Sequence, residues 1–155
     1  MFELNSDPLV IKYTGNGSFD NIEVARKFIE DYDQYKLNGY GRWLVTEKKT
    51  GLPIGWCGLK NQGFIDLGYR FLQSSWGKGY ATEASLACLE KGFEHFKLPE
   101  IIGRVAIGNY ASIRVLEKLG MQYAHTDTCH GLPVKHYKMT SKEWTAMKSK
   151  QSIHV

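Results

Sequence analysis

Apolar and polar residues alternate most cleanly at Ile65, Leu67, Tyr69 and Phe71, which are interleaved with Asp66, Gly68 and Arg70. That period of two predicts a strand over Ile65–Leu72 with unequal faces. Shorter runs predict strands over Arg42–Glu47 and Ile54–Lys60, joined as a hairpin through Lys49-Thr50-Gly51. Ile101–Ile107 reads as a further strand, and Met121–Cys129 with Val134–Thr140 as a closing hairpin through Gly131-Leu132-Pro133. A different period governs the run from Tyr80 to Phe96. There Leu86, Leu89, Phe93 and Phe96 follow the spacing of a buried helical stripe, and Ala81, Ala84 and Cys88 form a second apolar face. Ile22–Tyr35 predicts another helix, started by Asp20 or Asn21. Residues 1–6 read as the end of a helix, and Ser141-Lys142-Glu143-Trp144 opens a short last one with a capping signature.

Two segments between these elements carry candidate chemistry. The first is Ser74-Ser75-Trp76-Gly77-Lys78-Gly79-Tyr80-Ala81-Thr82-Glu83-Ala84, set between a strand and a helix. Its glycines permit a tight turn and keep side chains away from an approaching ligand. The helix behind it presents free N–H groups and the positive end of its dipole, which together suit a phosphate. A Walker loop would continue Gly-Lys-Ser or Gly-Lys-Thr, and a dinucleotide fingerprint would need a small residue where Thr82 stands. A plain glycine turn before a core helix explains the loop equally well when it is taken alone. The second segment is Asn109-Tyr110-Ala111-Ser112-Ile113-Arg114-Val115-Leu116-Glu117-Lys118-Leu119-Gly120. Asn109 suits an N-cap and Gly120 the residue past a helix C-terminus.

Strand, glycine turn, helix, strand, Asn-capped helix, Gly and strand, in that order, resemble the GNAT superfamily of acyl-CoA-dependent N-acyltransferases. Trp76-Gly77-Lys78-Gly79-Tyr80-Ala81-Thr82-Glu83-Ala84 and Asn109-x-x-Ser112-x-x-Val115-Leu116-Glu117-Lys118-Leu119-Gly120 look most like the branch that includes ribosomal-protein N-terminal acetyltransferases. Leu4-Asn5-Ser6-Asp7-Pro8, Tyr13-Thr14-Gly15, Gly41-Arg42-Trp43 and Gly55-Trp56-Cys57-Gly58-Leu59 look like it too. The resemblance covers nearly the whole chain and implies an α/β fold, a mixed central sheet flanked by helices. It also implies a first strand that has no counterpart before Asp7-Pro8. One sheet edge is then uncovered, and either a homodimer over that edge or residues 1–14 folded across it is expected.

The implied reaction moves an acetyl group from acetyl-CoA to a primary amine, on a protein N-terminus or a small molecule. The implied cofactor contacts are the backbone of Phe71 and Leu72 along the pantetheine, and Trp76, Gly77, Lys78, Gly79, Tyr80, Ala81 and Thr82 at the pyrophosphate. Asn109 and Ser112 join them from the second segment, Asn109 also serving as the plain cap. Many members carry a Tyr acid in the position of Leu116. Leucine cannot donate a proton, which favours Ser112 as the catalytic candidate at the departing sulfur over a mere local backbone hydrogen bond there; Tyr137 from the last hairpin is the second candidate, with core packing as its other reading. The base stays open. Asp66 has Arg70 as a potential ion partner, Glu83 suits the helix dipole, and His125 with Asp127 form either a relay or a solvent-side pair. The competing reading is a CoA-binding or interaction module without catalysis.

The 155 residues suit one domain, 1–155, and 43% hydrophobic content supports a core. A formal charge of +4 is a mild bias and no nucleic-acid signature. No apolar run approaches the ~20 residues that cross a bilayer, so no membrane association is expected. Cys57, Cys88 and Cys129 are odd in number and lack metal-ligand spacing; reduced thiols, no metal and a cytoplasmic setting are the expectations.

Overall fold

The alternating run forms β3 (Ile65–Phe71), third in a sheet with β1 (Arg42–Thr46), β2 (Pro53–Asn61), β4 (Glu100–Ala106), β5 (Gln122–Cys129) and β6 (Leu132–Thr140). The computed structural model describes residues 1–152. The strand order is β1-β2-β3-β4-β6-β5, antiparallel throughout except for the parallel neighbours β3 and β4. Helices α1 (Phe2–Ser6), α2 (Pro8–Ile11), α3 (Ile22–Glu30) and α4 (Gln34–Asn38) precede the sheet. Helix α5 (Tyr80–Glu90) crosses from β3 to β4, α6 (Tyr110–Lys118) links β4 to β5, and α7 (Ser141–Ser152) follows β6. This is the mixed sheet flanked by helices that the resemblance implies.

The core lies between one sheet face and helices α5, α6 and α7. Leu59, Ile101 and Met139 from the sheet meet Leu89, Leu116 and Trp144 from the helices, all buried. Leu86 is not part of it. It is 42% exposed, and fully buried Ser85 takes the inward position beside Cys57. The inward stripe of α5 is Ser85, Cys88 and Leu89, and a π turn over Lys91–His95 inserts a residue before Phe93 continues it. Cys57 and Cys88, distant in sequence, place their sulfurs 3.6 Å apart in this core.

The helix expected over Ile22–Tyr35 divides at Asp31, where the Asp31 N–H donates to the Lys27 carbonyl at 2.9 Å and the Tyr32 N–H to the Ile29 carbonyl at 3.2 Å. The break frees two tyrosines for the sheet edge. The Arg42 N–H donates to the Tyr32 hydroxyl at 3.1 Å, and the Tyr35 hydroxyl donates to the Arg42 carbonyl. These groups of Arg42 face away from β2, so the tyrosines cap the start of the outermost strand. No strand precedes α1 among the described residues. Residues 1–14 shield a sheet face and leave the edge alone: Leu4 and Val10 pack on Trp56. The closing hairpin turns at His130-Gly131, both at positive φ, which places Leu132 and Pro133 in β6. The last helix is capped one residue earlier than its sequence signature implies. The Thr140 N–H donates to Glu143 Oε2 at 2.8 Å, and the Glu143 N–H returns to Thr140 Oγ1 at 3.2 Å.

Gly58 sets how closely β1 lies on β2. A Cβ there would run into the Gly41 carbonyl and the Arg42 backbone, which have no flexible end to move. Gly58→Ala is therefore expected to cost about 1–3 kcal/mol, the range for overpacking. Chemical denaturation measures it; an unchanged midpoint would show that β1 yields freely.

Candidate active site

Parallel strands β3 and β4 pair at a single position, Asp66 with Ile102, and then separate. On its other side β3 stays paired with β2 from Ile65 to Phe71. The Leu72 N–H bonds the Ile54 carbonyl at 2.9 Å, which fixes the alternation: Tyr69 and Phe71 point their backbone groups away from β2, into the gap. A cavity of about 1040 Å³ runs through this opening, between the glycine loop, the first turns of α6 and residues 9–16. Leu72, expected to pair with the pantetheine, has both backbone groups satisfied internally, the N–H by Ile54 and the carbonyl by the Ser75 N–H at 2.9 Å. The strand alternation thus turns the backbone of Tyr69 and Phe71, and not that of Leu72, to the gap.

The glycine loop forms one wall. Gly77 and Gly79 sit at φ +73° and +85°, and nothing lies within 4 Å of where a Cβ would stand on either. Gly79 is the N-cap of α5 and supplies no side-chain cap, so the first-turn N–H groups face the opening. Trp76 donates its indole N–H to the Phe71 carbonyl at 2.9 Å, and Tyr80 donates to Glu47 Oε1 at 2.6 Å, which ties the loop to both neighbouring elements. Ala81 and Thr82 also line the cavity, whereas exposed Lys78 does not.

Helix α6 forms the opposite wall. Asn109 Oδ1 accepts the Ser112 N–H at 3.2 Å, the expected cap. The Tyr69 hydroxyl donates to the Ser112 carbonyl at 3.2 Å and so braces β3 against α6 across the gap. Burial pushes the Tyr69 phenol up to about 12, which keeps its proton in place for that bond. The Ser112 hydroxyl lines the cavity and has no hydrogen-bond partner among the described residues. Leu116, one turn on, is buried over Gly103. Tyr137 is not brought to this cavity. It is buried, and its hydroxyl donates to Glu117 Oε1 at 3.1 Å, beyond Leu116.

On the other sheet face the cavity is cationic. Asp66 pairs with Arg104 at 3.2 Å and not with Arg70, whose guanidinium bonds the Asn5 side chain. Burial raises the Asp66 carboxyl above its ordinary range, against the opposing pull of Arg104. Arg42 and Arg70 both lie over the Trp56 ring, at 4.3 and 5.6 Å from its centroid. Glu83 is exposed in the first turn of α5. His125 and Asp127 share a face of the last hairpin with His136, which stacks on His125 at 4.3 Å; ligand atoms of the three lie within 4.8 Å of one another. The cysteine spacing gave no sign of this group, because a bulge between Tyr123 and His125 and cross-strand pairing create it.

No helix among the described residues is long and apolar enough to cross a membrane. The acetyltransferase (GNAT) domain family matches residues 1–122. Among curated proteins, the YkkB protein of Bacillus subtilis (strain 168) is 36% identical over 147 residues, covering 89% of this chain and 83% of its own. The N-acetyltransferase p20 of Bacillus licheniformis is 33% identical over 122 residues, covering 76% and 68%. Among solved structures, a GNAT-family acetyltransferase from Bacillus anthracis superposes with a TM-score of 0.81 at 28% identity, covering 92% and 88% of the two chains. The spermidine N-acetyltransferase of Vibrio cholerae, in complex with CoA and spermine, shares the fold with a TM-score of 0.75 at 14% identity, covering 93% and 89%. The splayed strands, the open glycine loop and the Asn-capped helix accord with these matches, and the chain belongs to the GNAT acetyltransferase family.

Proposed function

We propose that the protein transfers an acetyl group from acetyl-CoA to a primary amine in the gap between β3 and β4. The observation that carries the reading is the gap itself, bounded by a glycine cradle without Cβ atoms, an uncapped helix N-terminus and a strand whose Tyr69 and Phe71 backbone groups face inward, the Phe71 carbonyl already accepting the Trp76 indole N–H. These features fit an extended thioester bearing a pyrophosphate. Tyr69 and Phe71 hold the pantetheine amides as an added strand would. Gly77, Gly79 and the first-turn N–H groups of Tyr80, Ala81 and Thr82 receive the phosphates, with Lys78 adding charge from the surface.

The thioester supplies an activated acyl carbon. The amine lone pair attacks that carbon, the C–N bond forms, the C–S bond breaks and the amine loses a proton. The departing thiol has a pKa near ~8.5, so it needs modest assistance. Ser112 gives it, through a hydroxyl that is free to donate. Orientation in the gap supplies much of the remaining acceleration. The acceptor is a small molecule or a protein N-terminus. The neighbouring spermidine N-acetyltransferase makes a polyamine one candidate.

Release of free thiol from acetyl-CoA, measured with a panel of amines and peptides, tests the reading; no release with any of them removes it. Gly79→Val adds a branched side chain at a left-handed position that opens on the loop. It is expected to weaken CoA binding at least ~10-fold by calorimetry, since it costs both strain and access. Parent-like affinity in that variant would move the phosphates elsewhere. Ser112→Ala is expected to lower the maximal rate about 10²-fold, within the span of general acid catalysis. Tyr137→Phe, which removes a hydroxyl bound to Glu117, should change that rate by less than ~5-fold, at or below the small end of such effects. The reverse ranking, read from steady-state kinetics, would exchange their roles.

A further inference from the structure

The acceptor side of the cavity carries more positive charge than its own groups balance. Arg42, Arg70, Arg104 and Lys60 line it, and Asp66 is the one carboxylate among the lining residues. Asp66 forms its ion pair with Arg104, and its charge acts more weakly on Arg42 and Lys60. Neither Arg42 nor Arg70 makes an ion pair among the described residues. Asp31 and Asp33 share a neighbouring recess with Arg42 but do not pair with it, and Asp31 is bound to Lys27 at 3.0 Å. Among the described residues the Arg70 guanidinium hydrogen-bonds the neutral Asn5 side chain alone.

The two guanidiniums both lie against one aromatic ring. Both lie over the Trp56 ring, which rests on Gly68 because a side chain there would press against it. Arg42 Nε is buried and has no hydrogen-bond partner among the described residues. Like charges at such a site repel and lose hydration, and an uncompensated buried charge is costly. Burial and the adjacent Arg42 charge draw the Arg70 guanidinium down to about 10. Two guanidiniums without an ion partner among the described residues thus line a cavity that opens beside the reacting gap, while the Arg42 Nε–H is itself buried.

We infer that the acceptor amine carries a carboxylate, which Arg42 and Arg70 bind over the Trp56 ring. The inference rests on the acetyl-transfer reading above and narrows its acceptor class. A guanidinium offers its Nε and Nη donors in the planar fork that matches a carboxylate, and such charge-assisted pairs are about twice as strong as neutral ones. The same charges repel a polycation. This cavity therefore disfavours the polyamines on which the spermidine N-acetyltransferase neighbour acts.

The test uses the full chain and matched primary amines: ω-amino acids of several lengths, their carboxamides, and spermidine. The expected result is a kcat/KM about 10–100-fold higher for the best acid than for its carboxamide, the span of a charged hydrogen bond, with spermidine below both. Arg42→Gln should bring that ratio towards one by raising KM for the acid, while Arg42→Lys retains part of it. Acid and carboxamide used equally, or spermidine preferred, overturns the inference and leaves acetyl transfer standing. A ratio that survives Arg42→Gln and Arg70→Gln, with folding checked by circular dichroism, overturns it as well. If no amine releases thiol, the acetyl-transfer reading falls. Calorimetry of acid against carboxamide on the CoA-saturated protein then decides: tighter binding of the acid upholds the carboxylate site, and equal affinity removes it.

Discussion

The separation of β3 from β4 after one shared register position is the constraint on which the rest of the molecule depends. A parallel pair that stayed zipped would satisfy its own backbone groups and leave no entry for a ligand. Here β3 is held by β2 along its length and β4 by β6, so each has a firm partner on the outside and none on the inside. The Tyr69–Ser112 hydrogen bond spans the opening and sets its width from the helix side. Leu116, seated over Gly103, closes its floor. The inward backbone groups of β3, apart from the Phe71 carbonyl that accepts the Trp76 indole N–H, are consequently turned towards a ligand that behaves as a strand.

The two faces of the opening have different chemistry. Towards α5 and α6 it is bounded by glycines, helix N–H groups and a free serine hydroxyl, an arrangement suited to phosphates and a departing thiolate. Towards α1 and α2 it is bounded by Trp56 and arginines, an arrangement suited to an acceptor. The short N-terminal helices contribute through packing as much as contact. Leu4 and Val10 cover Trp56, and Asn5 orients Arg70. The tyrosines after α3 do the corresponding work at Arg42, since they bind its backbone on the outer edge while its side chain reaches inward over Trp56.

Much of this was legible in the order of residues. The strand at 65–71 follows from alternation and those at 42–46 and 53–61 from shorter runs around a turn, and the cap at Asn109 follows from local chemistry that needs no tertiary partner. The glycine loop was legible for the same reason: positive φ at Gly77 and Gly79 is a local requirement that glycine meets. Features decided by distant contacts were not legible. The helix break at Asp31 serves Arg42, eleven residues on. The inward turn of Ser85 in place of Leu86 follows from the sheet beneath α5, and Asp66 takes Arg104 from the neighbouring strand in preference to Arg70 on its own.

By itself the sequence determined the strands, the main helices and their order, and the loop and cap that mark the family, because each rests on local periodicity or on one residue's backbone preference. Only the tertiary structure decided which side chains meet across the sheet. Residue spacing carries no information on strand splay, so the choice of Tyr69 over Leu72 in the gap depends on the hydrogen bond from Leu72 to Ile54. The seclusion of Tyr137 behind Leu116 and the joining of Arg42 with Arg70 are likewise products of register, since residues far apart in the chain become neighbours only when β1, β2 and β3 are stacked in one alignment.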